Sequence, residues 1–122
     1  MDRSAFLEAL AEVAERLYQR GAVARIYVVG GAAMALAYDA ERASHDIDSV
    51  ILDGYGPLIE VVREVARERG WPTTWLNDQA ASYVPKTLDT AARVVFDHPA
   101  LHVLAASPEH LLAMKAMAGS TH

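Results

Sequence analysis

Two aspartates, Asp46 and Asp48, stand one residue apart at the head of the apolar run "DIDSVIL" (46–52). Residues two apart in a strand share a face, so both carboxylates are presented to one place while Ile47 and Ile51 turn the other way, into packing. Carboxylates converging in a cleft repel each other unless a cation or a proton lies between them. Magnesium, with manganese as its substitute, suits such a pair, since it takes a few carboxylates together with water and substrate phosphate oxygens. The alternative is a strand that begins at the surface with both side chains facing water, the commoner setting for an isolated Asp-x-Asp.

A second feature bears on that choice. Gly30-Gly31 closes the run "ARIYVV" (24–29) and opens the small-residue segment "AAMALAYDA" (32–40). Between a strand and a helix, a glycine pair lets a phosphate come close to the backbone, and the amides at the helix start point toward it. By itself a glycine pair more often serves packing. Followed by Arg42-x-Ser44 and then Asp46-x-Asp48, it becomes one part of a compound pattern.

The elements that must position these residues are legible on either side. Phe6, Leu10, Val13 and Leu17, with Leu7, Ala14 and Tyr18, recur at three- and four-residue steps, which predicts a helix from an N-cap at Ser4 to a stop at Gly21. "ARIYVV" and "DIDSVIL" read as strands, and "AAMALAYDA" as a short helix between them. After the turn signal "DGYGP", Leu58, Val61, Val62 and Val65 make the apolar face of a helix that ends at Gly70, with Pro57 in its first turn. "WPTTWLNDQAASYVPKTLD" (71–89) is the least periodic part and reads as a loop with a short helix. "ARVVF" and "LHVLAA" around "DHPA" suggest a hairpin, and Ser107-Pro108 opens a final helix, 109–118. The fold class expected is α+β: a small mixed sheet flanked by helices, in a single domain over residues 1–122.

Bulk properties remove several functions. A net charge of −5 argues against a broad nucleic-acid footprint, which needs Lys and Arg along many phosphates, but leaves room for a nucleotide or an RNA end. With no cysteine, disulfide staples and thiolate chemistry are excluded. The acid-bearing amphipathic start is unlike a signal peptide, and no apolar run reaches membrane-span length, so a cytoplasmic, soluble protein is expected.

Taken together, Gly30-Gly31-x-Ala33 and Arg42-x-Ser44-x-Asp46-x-Asp48 resemble the nucleotidyltransferase superfamily of the DNA polymerase beta type. The nearest likeness is to a small bacterial branch related to the type IV abortive-infection toxin nucleotidyltransferases. "WLND" (75–78) and "SPEHLLAMK" (107–115) also look like segments of this branch. The resemblance implies that Gly30 and Gly31 hold a nucleoside triphosphate and that Asp46 and Asp48 bind the bridging metal. It further implies that Arg42 contacts a phosphate, that Ser44 orients Asp46, and that Lys115 faces the nucleotide phosphates. The implied activity is transfer of a nucleoside monophosphate to an acceptor hydroxyl, on a tRNA end, a protein or a small molecule, in a toxin–antitoxin setting.

Two departures qualify the likeness. The superfamily places a third carboxylate on a later strand beside the first pair, yet the expected hairpin offers only Asp97, at its expected turn, with Asp89 ahead of it. The chain also stops at "AGSTH", so the C-terminal helices of related chains are expected to be missing. Leu111, Leu112 and Met114 would then lie bare, which favours a homodimer or a partner protein on that helix. The alternative function is a catalytically degenerate module that binds a nucleotide or a partner. Trp71 and Trp75 suit packing better than base stacking, with Asn77 reading a base edge in the second case.

Overall fold

Arg3–Gln19 forms the first helix, α1, in the computed structural model of the chain, which describes residues 3–38, 46–82 and 91–107. Its face of Phe6, Ala9, Leu10, Val13, Ala14 and Leu17 is buried, as the spacing predicts, whereas Tyr18 is exposed and Ser4, the expected N-cap, lies inside the helix. Strand β1 (Ala24–Val28) follows, then α2 (Gly30–Tyr38), β2 (Ile47–Asp53) and α3 (Tyr55–Arg69). Leu58, Val61, Val62, Val65 and Ala66 of α3 pack inward, and each large apolar side chain so buried contributes roughly 1.5–3 kcal/mol. Pro57 lies in the first turn of α3.

Gly54 is required where it stands. It joins β2 to α3 with φ 76°, and a Cβ there would run into the Val23 carbonyl and Ala24. No side chain fits both the left-handed backbone and that approach.

The segment after α3 carries more structure than its irregular sequence suggests. It contains a two-residue strand, β3 (Leu76–Asn77), and a 3-10 turn over Gln79–Ser82. The hairpin consists of β4 (Arg93–His98) and β5 (Leu101–Ala105). Five strands make one mixed sheet in the order β3-β2-β1-β5-β4. β1 runs antiparallel to β2 and parallel to β5, and β3 runs parallel to β2.

One face of the sheet, with Ala24, Ile26, Val28, Ile47, Leu101, Val103 and Ala105, packs in a single apolar core with α1, α2 and α3. The other face holds a smaller cluster of Tyr27, Val29, Ala80 and Ala106. The expected α+β architecture is therefore the one the chain adopts. The expected helix 109–118, its apolar face and Asp89 lie outside the described residues.

Candidate functional site at the start of strand β2

β1 ends at Val28, and the chain swings directly into α2 through Gly30, whose φ of 67° is a conformation glycine adopts without strain. In the antiparallel register Val28 opposes Ser49, and the Val29 N–H donates to the Asp48 carbonyl at 2.9 Å. The glycine turn and the start of β2 therefore lie side by side. Among the described residues a Cβ at Gly30 would meet nothing within 4 Å, so they leave the space beside the turn open.

On its other side β2 is held by β3. The Ile47 N–H donates to the Trp75 carbonyl at 2.6 Å, and Asp48 is the register partner of Asn77. Ile47 is fully buried, whereas Asp46 and Asp48 on either side of it are half-buried. This alternation sends the two carboxylates away from the core, toward the side where solvent and a ligand can reach them.

Asn77 anchors the site from below. Its Nδ2 donates to Asp48 Oδ1 at 3.0 Å and to the Thr74 carbonyl at 3.1 Å, and its Oδ1 accepts from the Gln79 N–H at 3.0 Å. Ser49, also buried, donates its hydroxyl to the Asn77 carbonyl at 2.7 Å. All these polar groups find partners, as buried polar groups must.

Magnesium or manganese fits the donor set. Two half-exposed carboxylates supply hard oxygen ligands, with access for the waters and phosphate oxygens that complete an octahedral ion. Among the described residues no group of three or more His, Asp or Glu side chains is placed to hold a metal ion.

Of the predicted site residues, Gly30, Gly31, Asp46 and Asp48 are brought to one end of the sheet. Arg42, Ser44 and Lys115 lie outside the described residues.

The strand flanking the pair is not the one the hairpin reading pointed to. β4 and β5 lie beyond β1, and β4 continues through Asp97 and His98, so the turn is Pro99-Ala100 and Asp97 is a strand residue. Asp97 pairs with His102 at 2.7 Å on the exposed side of the hairpin. The position next to Asp48 is occupied by an amide, Asn77, rather than a third carboxylate. Trp75 packs, as the sequence reading favours over base stacking: it is fully buried, its indole N–H donates to the Val62 carbonyl at 2.9 Å, and Trp71 meets it edge-on with ring centroids 5.4 Å apart.

A family model described as nucleotidyl transferase of unknown function (DUF2204) matches residues 6–84. The chain belongs to this nucleotidyl transferase family. The family match runs from α1 to just past the 3-10 turn, and so takes in both glycines, both aspartates and Asn77 but neither the hairpin nor Lys115. No curated protein and no solved structure matches the chain significantly. Among the described residues no helix is long and apolar enough to cross a membrane.

Proposed function

We propose that this nucleotidyl transferase family member binds a nucleoside triphosphate with magnesium between the Gly30-Gly31 turn and the Asp46–Asp48 pair, and transfers its nucleoside monophosphate to an acceptor hydroxyl. The observation that carries the reading is the juxtaposition of the open glycine turn with the start of β2, tied by the Val29-to-Asp48 hydrogen bond, in a chain of this family. Asp46 and Asp48 would hold the ion, which when bound neutralises phosphate charge and stabilises the attacking and leaving oxygens. The backbone at the start of α2 faces the triphosphate, where helix amides favour anionic groups.

In the reaction the acceptor oxygen forms a bond to the α-phosphorus and the bond to the β-phosphate bridging oxygen breaks. Pyrophosphate leaves with the electron pair and the hydroxyl proton passes to water. The chain's part is to position and to balance charge. Arg42 and Lys115 are assigned to the phosphates and Ser44 to orienting Asp46, on the strength of the sequence pattern. The acceptor is a tRNA end, a protein or a small molecule. A toxin-type role, a cytoplasmic site of action and a homodimer or partner contact through residues beyond Ser107 belong to the same proposal.

The amide at Asn77 favours a second reading, a member that binds nucleotide without chemistry. One experiment separates the two: incubation of each α-labelled nucleoside triphosphate and magnesium with bulk tRNA and with protein, beside Asp46→Asn/Asp48→Asn. Label incorporated by the wild type and lost in the double variant is the expected result. Absence of label with retained nucleotide binding transfers the assignment to the binding module.

A further inference from the structure

Asn77 has a side chain whose orientation is dictated by the backbone around it. Oδ1 faces the Gln79 N–H and Nδ2 faces the Thr74 carbonyl. Exchanging the two atoms would set an N–H against an N–H and an oxygen against an oxygen. What Asn77 directs at Asp48 Oδ1 is therefore an N–H donor. The register fixes it there, because Asp48 and Asn77 are paired residues in a parallel ladder that Ser49 and Ile47 also hold.

An N–H aimed at a carboxylate oxygen takes up one of its lone-pair directions and brings partial positive charge to that side. Two divalent ions a few ångströms apart need bridging oxygens from several anionic ligands. Here two carboxylates contribute, one of them already bonded to an amide, and no third acidic or histidine side chain joins them among the described residues.

We infer that Asn77 is the positioning residue of this site: it sets the rotamer of Asp48 and limits the Asp46–Asp48 pair to a single divalent cation. The inference rests on the nucleotide-and-metal reading above. It differs from that reading in predicting how many ions bind and which neutral side chain decides the number.

Counting bound Mn2+ by electron paramagnetic resonance, in the presence of a non-hydrolysable nucleoside triphosphate analogue, tests it. Wild type should bind one Mn2+ per chain, lost in Asp46→Asn/Asp48→Asn. Asn77→Ala should keep that count while weakening Mn2+ by about 10-fold or more, the usual effect of removing a group that orients a ligand. Asn77→Asp, which turns the donor into an oxygen, should raise the count to two if it folds, as circular dichroism will show. Two ions on the wild type, or an unchanged Mn2+ affinity in folded Asn77→Ala, overturns the inference while leaving the metal reading standing. Wild type with no aspartate-dependent Mn2+ overturns both.

Discussion

The chain keeps carboxylates in two contrasting places. Between α1 and α3, Glu12, Glu64 and Glu68 are met by arginines: Arg16 reaches all three, at 2.7, 3.2 and 2.5 Å, Arg20 reaches Glu64 at 2.5 Å and Arg69 reaches Glu12 at 2.9 Å. At the start of β2, Asp48 is met by a neutral amide instead. On the helix pair these carboxylates are paired with arginines of the same two helices. The amide orders the Asp48 carboxylate without bringing a formal positive charge to it, an arrangement that suits a ligand carrying its own cation.

This contrast can be broken from either side. The largest structural effect should come from Asn77→Ala, which strands the Gln79 N–H and the Thr74 carbonyl as well as Asp48. Thr74 and Gln79 are exposed and Asp48 is half-buried, so water can replace part of what is lost; each hydrogen bond removed is worth about 0.5–1.5 kcal/mol, and chemical denaturation should register their sum. A stability equal to wild type would mean that the amide network is not formed in solution. Asp46→Asn/Asp48→Asn should do the opposite: function disappears, but the midpoint stays level or rises because like charges are removed.

The smallest effect belongs to the helix pair. Hydrogen bonding from Arg69 holds Glu12 below the ordinary glutamate range, against the opposing effect of partial burial, and hydrogen bonding from Arg20 does the same for Glu64. A carboxyl group whose folded value is depressed stabilises the fold above its unfolded value and loses that contribution as pH falls through the folded one. Since these side chains are about a third exposed, each pair is worth only about 0.2–1 kcal/mol, screened by salt. Glu12→Gln and Glu64→Gln should therefore flatten the acid limb of the stability profile slightly and leave neutral-pH function intact. A loss of several kcal/mol would show that the α1–α3 charges are not a solvated network.

Much of this was legible in the sequence, and what was not has a physical cause. The 3.6-residue pattern of α1 and α3 and the Gly-Gly and Asp-x-Asp signals needed only local periodicity. β3 could not be read, because two residues are too few to show alternation; it is a strand only because α3 returns the chain alongside β2. For the same reason "WLND" offers Asn77 only as an amide that could read a base edge, whereas its partners come from Asp48, Thr74 and Gln79. "DHPA" holds turn-forming residues and so predicts a turn at Asp97, yet pairing with His102 extends the strand past it. Trp75 could be settled only by the carbonyl of Val62, 13 residues away, which receives its N–H.

The most direct test of the central claim is the thermal midpoint of the wild type and of Asp46→Asn/Asp48→Asn, each with and without nucleoside triphosphate plus magnesium. A ligand that binds only the native state at one hundred times its Kd adds about 2.7 kcal/mol of stability. The account predicts a raised midpoint for the wild type with both ligands present and none for the double variant. An equal rise in both proteins, or no rise in either with any nucleoside triphosphate, would contradict it.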